Sequence, residues 1–337
     1  CDNWGIFCYI RDLDNEVYWS NTHQPTLLKA EKYEAAYSQG RVDFNRMQNK
    51  IETRTEIVVS PEDYIEMRRL HIPNRSDNRK TIEITSYAEV VIAPAASDLM
   101  QPAFSNLFVQ TEIRTHRNTI LCTRRPRSAD EKLPWMFHLM ALEGKAAEEV
   151  SYETDRMAFI GHGNSIVNPQ AMNNPGKLSG SQGSVLDPIV AIRYKITIEP
   201  EETITMDMVT GIGETKDICQ GLINKYQDNT PHKDRVFELA WTHSQVVLRQ
   251  INASEADAQL YGRLAGSILF TNALFRADPA ILISNRRGQS GLWGYSISGD
   301  LPIVLLKIEN QDNMALVRQL VNAHPYVRLK GLAVCLV

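Results

Sequence analysis

Cysteine is scarce in this chain of 337 residues, and the five present (Cys1, Cys8, Cys122, Cys219 and Cys335) are an odd, scattered set. No C-x-x-C pair occurs, which argues against a disulfide framework and against a zinc site. Each is read as a small buried hydrophobe in a reducing setting. Basic excess is also missing. With 36 Lys and Arg against 40 Asp and Glu, the net charge is −4, so the footprint that nucleic-acid binding needs is lacking. The densest basic cluster, Arg124, Arg125 and Arg127, reads as a solvated loop. No run approaches the roughly 18 consecutive apolar residues of a membrane helix, and no signal peptide opens the chain. The expectation is a cytoplasmic region that contacts neither nucleic acid nor membrane.

Catalytic signatures are equally sparse. There is no G-x-S-x-G nucleophile elbow and no H-E-x-x-H helix. His162 in GHGNS is flanked by glycines, but no carboxylate or second histidine stands at ligand spacing, so it reads as a loop residue and no metal site is expected. Ser181 and Ser184 carry no sign of activation. Asp12 and Asp14 in YIRDLDNEVYW form a D-x-D that reads first as a turn.

What the chain does have is alternation. In PIVAIRYKITIEP, Ile192, Tyr194, Ile196 and Ile198 alternate with Arg193, Lys195 and Thr197; ETITMDMV sets Ile204, Met206 and Met208 against Thr205 and Asp207. YIEMRRLHI and TIEITSYAEVVIA flank the turn formers of PNRSDNRK. Many short strands without intervening helices predict antiparallel sheets packed as a sandwich. About 210 such residues exceed one immunoglobulin-sized sandwich. The NNPGKLSGSQGS segment, residues 173–184, reads as a flexible surface loop. The opening strand and the terminal GLAVCLV, with no initiator Met and no polar tail, predict a chain that is part of something larger.

After GIGETKD the period becomes helical. Thr230 and Pro231 start a helix whose face carries Val236, Ala240, Val247 and Ile251, with Phe237, Trp241 and Leu248 beside it; the Trp241 stripe is expected in the core. Ser254 and Asp257 form a capping-box-like start, followed by Leu260, Leu264 and Ile268 as an apolar stripe. PIVLLKI, MALVRQLVNAHPYV and LAVCLV then read as strand, helix, strand.

Residues 286–304, RRGQSGLWGYSISGDLPIV, concentrate what chemistry remains. Gly288, Gly291 and Gly294 are spaced by three and no Lys follows, so neither a Walker loop nor a dinucleotide fingerprint fits. A saccharide site pairs flat aromatic faces with bidentate polar groups. Trp293 and Tyr295 offer the faces, Gln289 and Asp300 the fork, and Arg286 or Arg287 an anion contact. A Gly-rich turn whose aromatics plug a domain junction explains the same composition, and both readings stand on the residues alone.

WGIFCYIRDLDNEVYWS, SYAEVVIAPAASDLMQPAFSNLFVQTEI and RRGQSGLWGYSISGDLPIVLLKI, in that order, resemble segments of the cyclic β-1,2-glucan synthases. The segments come from the C-terminal region, which is similar to the cellobiose and chitobiose phosphorylases of glycoside hydrolase family ninety-four. The resemblance covers essentially the whole chain. It implies a galactose-mutarotase-like β-supersandwich (expected over residues 1–212), linker helices (213–252) and the start of an (α/α)6 barrel (253–300), with the truncated α/β unit at 301–337. It also implies an enzyme acting on β-1,2-glucan, with inorganic phosphate as co-substrate and no cofactor, a homodimer, and a parent protein anchored in a bacterial inner membrane. The family's general-acid Asp lies downstream, so no catalytic residue is expected in this chain. The substrate contacts expected from the residue types of the loop are Arg287, Gln289, Trp293, Tyr295 and Asp300. The sequence departs from the phosphorylase signature G-R-G-x-G-F-R-D, with Leu292 and Ser296 at its arginine positions. Two alternatives are a non-catalytic carbohydrate-binding scaffold and a piece of a stand-alone disaccharide phosphorylase.

Overall fold

A computed structural model describes residues 5–126, 128, 131, 133–174, 176–270 and 272–337. The strands are β1 (Ile6–Asp12), β2 (Val17–Ser20), β3 (Lys32–Ser38), β4 (Arg41–Gln48), β5 (Ile51–Val59), β6 (Ile65–Pro73), β7 (Lys80–Glu89), β8 (Val109–Arg114), β9 (Thr119–Arg124), β10 (Trp135–Leu142), β11 (Glu149–Asp155), β12 (Pro188–Ile198), β13 (Thr203–Gly213), β14 (Ile303–Val304) and β15 (Cys335–Leu336). The helices are α1 (Ala95–Met100), α2 (Pro102–Asn106), α3 (Arg156–Ile160), α4 (Gln170–Asn173), α5 (Lys216–Gln227), α6 (Thr230–Gln250), α7 (Glu255–Leu269), α8 (Pro279–Ser284) and α9 (Met314–Leu329). The chain divides into two compact units, Cys1–Trp241 and Thr242–Val337.

In the first unit, alternation has produced two antiparallel sheets. One runs β11-β12-β7-β1-β2 and the other β3-β4-β5-β6-β13-β10-β9-β8. Cys8, Ile10, Trp19, Ile84, Ile192, Met140 and Met208 bury one face of each sheet in a shared core. The opposite faces are covered as well. Phe7, Tyr9 and Tyr87 pack with Phe159 and Met172 of α3 and α4, while Phe137, Leu139 and Val209 pack with Cys219, Ile223 and Val236 of α5 and α6. A strand buried on both faces is apolar at nearly every position, and so β10 reads WMFHLMAL. Each fully buried aliphatic side chain contributes about 1.5–3 kcal/mol.

Turn chemistry sets the connections. Asn49 and Lys50, both at positive φ (53° and 61°), close the β4–β5 hairpin with Gln48 opposite Ile51, the backbone geometry of a two-residue primed turn. The D-x-D is a turn as expected: Asp12 accepts from the Asp14 backbone N–H at 2.9 Å and from Lys80 Nζ at 2.8 Å. The turn formers between β6 and β7 do not close a hairpin, because the two strands belong to different sheets. They carry the chain across the sandwich, pinned by Asn74 Nδ2 donating to the Asn78 and Ile198 carbonyls at 2.8 and 3.1 Å.

Three expectations in this unit need correction. The 173–184 segment is not a flexible loop; its described residues lie along the edges of both sheets. Gly180 N–H donates to Tyr152 O on β11 (2.9 Å), while Gly183 and Thr111 of β8 exchange backbone hydrogen bonds at 2.9 and 3.0 Å. Arg124 is not solvated but half-buried at the end of β9, its guanidinium donating to the Ser105 carbonyl at 3.0 Å and lying over Phe108. Arg125 is exposed as expected, with its guanidinium donating to the Leu107 carbonyl at 2.9 Å; Arg127 lies outside the described residues. Trp241 is 63% exposed, because Val236 and Ala240 define the buried face of α6 and residue 241 lies about 100° around from 240. Asp207 and Lys233, of whose burial the sequence pattern says nothing, are both buried, for α5 and α6 cover the sheet face to which Asp207 points.

The second unit is smaller. Ser254 caps α7 through a complete capping box with Asp257. The buried face of α7 is Ala258 and Tyr261, packed with Ala323, Tyr326 and Val327 of α9. Leu264 and Ile268 join it from the side, and Leu260 is exposed, so the apolar stripe is rotated from the expected one. The expected strand-helix-strand is present: β14 and β15 pair in parallel, Ile303 opposite Cys335, joined through α9.

Candidate functional site

The 286–304 segment follows α8, which Asp278 caps by accepting from the Ala280 N–H. Asn285 Oδ1 then accepts from the Arg287 N–H at 3.0 Å, turning the chain into a 3-10 run over Gln289–Tyr295. Ser296, at φ 61°, ends that run. Gly299 has φ +75°, and a side-chain carbon there would stand 2.9 Å from Gln289 Cγ, so glycine is required where the loop closes on itself.

Closure brings together three of the five expected site residues. Gln289 Nε2 donates to Asp300 Oδ1 at 2.8 Å and to the Ser298 carbonyl at 2.9 Å, and Trp293 Nε1 donates to that same carbonyl at 3.3 Å. The fork is therefore a bonded pair, with Gln289 Oε1 and Asp300 Oδ2 left outside these hydrogen bonds. Trp293 stays 63% exposed with its indole N–H turned inward. Arg287 and Tyr295 do not join the cluster. The Arg287 stem lies beside Gly291, Tyr295 is 73% exposed, and neither side chain makes a hydrogen bond among the described residues. The arrangement suits stacking and hydroxyl recognition. It holds one carboxylate, not the acid–base pair that glycosidic chemistry uses.

In the first unit a cleft of about 580 Å³ opens at one end of the sandwich, lined by Ile6, Tyr64, Ile65, Glu89, Met136 and Ile212 among others. Reasoning from sequence missed it, because no local pattern marks the place where strand ends from both sheets meet. Its carboxylates are already engaged. Asp63 accepts from Lys225 and Tyr226, Glu66 from Arg68, and Glu89 from Arg156 and Tyr87. Burial is the largest single influence on Asp63 and would raise its carboxyl, but hydrogen bonds from Lys225 and Tyr226 and the Lys225 charge outweigh it and hold the group below the usual carboxylate range.

Nucleophiles elsewhere are inert. Burial pushes the Cys8 thiol up to about 12 and the Cys219 thiol up to about 11, far from thiolate chemistry. Cys335 is partly exposed and Cys1 lies outside the described residues. His162 is exposed on its loop. Among the described residues no group of three or more His, Cys, Asp or Glu stands close enough to hold a metal, and no helix is long and apolar enough to cross a membrane.

Comparison with known proteins places these features in a family. The family described as glycosyl hydrolase 94, supersandwich domain, matches residues 1–229. The chain is similar to the cyclic beta-(1,2)-glucan synthase NdvB of Rhizobium meliloti (strain 1021), 28% identical over 336 residues, which is all of this chain and 12% of that protein. It is also similar to the N,N'-diacetylchitobiose phosphorylase of Vibrio furnissii, 28% identical over 233 residues, covering 67% of this chain and 27% of that one. A solved chain described as a putative kojibiose phosphorylase from human microbiome superposes on 71% of this chain and 25% of its own at 12% identity, with a TM-score of 0.34 that is too low to carry an argument. The chain thus spans well under two thirds of these relatives. With its two antiparallel sheets and helical continuation, it belongs to the glycosyl hydrolase 94 supersandwich family.

Proposed function

We propose that this chain is part of a cyclic β-1,2-glucan synthase and that the complete enzyme adjusts β-1,2-glucan chains by phosphorolysis with inorganic phosphate. The observation that carries the reading is similarity to one such synthase along all of this chain. Residues 1–212 are then the supersandwich, 213–252 the linker helices, 253–300 the start of a helical barrel and 301–337 a small α/β unit. In this reading the 286–304 loop contacts the glucan. Trp293 stacks on a sugar face and Asp300, held by Gln289, accepts hydroxyl hydrogens, with Tyr295 and Arg287 flanking them. This portion binds and does not catalyse, and it sits on the cytoplasmic side of a membrane-anchored parent.

Calorimetric titration of β-1,2-glucan oligosaccharides tests the loop. Trp293→Ala and Asp300→Ala are each expected to weaken binding on the order of tenfold, equivalent to ~1.4 kcal/mol. Unchanged binding in both variants rejects the saccharide assignment and leaves a scaffold. Release of glucose 1-phosphate from β-1,2-glucan by this chain alone would show that a catalytic acid lies within it.

A further inference from the structure

The two sheets of the sandwich are unequal, one of five strands and one of eight. Register tells which side chains of β3 and β4 lie on the face that the larger sheet turns to the shared core. Leu70 of β6 is in that core. It lies opposite Thr55, Thr55 opposite Phe44, and Phe44 opposite Ala35. Opposed residues share a face and alternate residues keep it. Tyr33, Ala35 and Tyr37 of β3 therefore stand on the core-side face with Val42, Phe44 and Arg46 of β4. The chain after β2 covers part of this face. Arg46 Nη1 and Nη2 donate to the Thr22 and Leu28 carbonyls at 3.0 and 2.8 Å, and Asn21 Nδ2 donates to Thr55 Oγ1 at 2.9 Å. β3 lies beyond that cover, with all seven of its residues exposed.

What is left open is an aromatic strip. The Tyr33 and Phe44 rings stack with centroids 6.4 Å apart at 25°, and Tyr37 meets Phe44 edge-on at 6.2 Å and 85°. Cross-strand stacking stabilises a sheet by itself, yet it does not account for Tyr37, which keeps 73% of its surface in water. Tyr33 and Tyr37 are four residues apart along a strand, about 13 Å. That is the reach of a short oligosaccharide rather than of one hexose. The strip also carries no exposed charge. Lys32, Glu34, Arg41 and Asp43 alternate to the opposite face, and Arg46, the cation of β4 on this side, is 1% exposed. A polyanion finds nothing to pair with here, and an aliphatic partner leaves the tyrosine hydroxyls unused. A pyranose offers a C–H face to the rings and a rim of hydroxyls to the phenols. We propose that Tyr33, Phe44 and Tyr37 form a second saccharide-binding platform, one that takes an uncharged oligosaccharide. It belongs to the first unit, whereas the 286–304 loop belongs to the second. That the sugar is β-1,2-glucan rests on the function proposed above.

Titration calorimetry of the full chain is the test, run in a Trp293→Ala background that removes the stacking face of the loop. β-1,2-Gluco-oligosaccharides and β-1,4-gluco-oligosaccharides are the two probes. Saturable binding of the β-1,2 series is expected to remain. Adding Tyr37→Ala is expected to weaken it on the order of tenfold, with an unchanged circular dichroism spectrum because the side chain is exposed. Tyr37→Phe keeps the ring and is expected to keep the binding. Leu186→Ala, at an equally exposed apolar side chain of the same unit (76%), is expected to have no effect. Loss of all binding on Trp293→Ala alone, or indifference to Tyr37→Ala, would overturn the platform and leave the loop standing. Binding that ignores Trp293→Ala and Asp300→Ala yet falls with Tyr37→Ala rejects the loop and supports the platform. Tyr37-dependent binding of the β-1,4 series alone supports the platform and rejects β-1,2-glucan as its ligand.

Discussion

Asp207→Ala should cost the first unit about 3–5 kcal/mol, because it removes the carboxylate shared by two sequestered cations and leaves the buried Lys233 almost without a partner. Asp207 is fully buried on β13, with Arg69 Nε of β6 at 2.8 Å and Lys233 Nζ of α6 at 3.1 Å. Both cations are themselves largely sequestered, Lys233 at 3% and Arg69 at 11% side-chain exposure. Burial alone would lower the Arg69 pKa. The hydrogen bonds and charges of Asp207 and Asp234 outweigh it and raise the value. Arg69 keeps Asp234 and the Phe237 ring face after the substitution, while among the described residues Lys233 keeps an ion pair only with Glu143, at a longer 3.7 Å. Asp207→Asn retains an acceptor for Arg69 and is expected to lose less. Urea denaturation reads the difference as a shift in midpoint at unchanged slope. A loss below ~1 kcal/mol for Asp207→Ala would mean that water reaches the network, since that is the range of exposed pairs.

The second large effect depends on pH. His138 is buried in the middle of β10, with Nδ1 2.8 Å from Thr210 Oγ1 on β13 and Nε2 2.8 Å from Ser86 Oγ on β7. It therefore bridges the two sheets through their hydroxyls. Burial, reinforced by the positive charge of Arg68, lowers its pKa to about 3. The folded value lies below the unfolded one of about 6.5. Above pH ~6.5 the imidazole is neutral in both states and its contribution to stability is fully present. As the pH falls from there toward 3, the unfolded chain takes up a proton that the folded chain refuses. Stability then declines by about 1.4 kcal/mol per unit, or nearly 3 kcal/mol by pH ~4.5. Carboxylates titrate over part of the same range, so the measurement is a comparison. Urea midpoints of the wild type and His138→Gln are followed from neutral to acid pH, and the wild type is expected to fall more steeply. Parallel curves would show that the buried imidazole accepts its proton at an ordinary pH.

These two residues also mark where the sequence stopped being legible. The sandwich was readable from alternation, as in PIVAIRYKITI, and the capping box at Ser254 announced α7. Asp207 alternates with Met206 and Met208 in the same way, yet the face it occupies is covered by α5 and α6. Local period distinguishes the two faces of a strand and does not say which face meets solvent. His138 stood inside an apolar run of eight residues, a signal that the strand is buried on both sides and its polar member must find partners there. Trp241 misled in the opposite direction, since aromatic content suggested burial and the α6 face decided otherwise. In the 286–304 loop, residue types grouped Gln289 with Asp300 as a fork, but only the closed backbone showed that they bond each other. The cleft at the sandwich end depends on strands distant in sequence, and no window along the chain displays it.

The 176–184 segment has a practical consequence. Glycine, serine and glutamine in close succession look like the natural place to insert a tag, a reporter or a protease site. In this protein an insertion there would pull Gly183 from Thr111 and Gly180 from Tyr152, uncovering β8 and β11 in one step. Two sheet edges would then stand open to strand addition from neighbouring molecules, which is the chemistry of aggregation. The 228–229 junction, where α5 ends and α6 has not yet begun, closes no sheet edge and is the sounder place for an insertion.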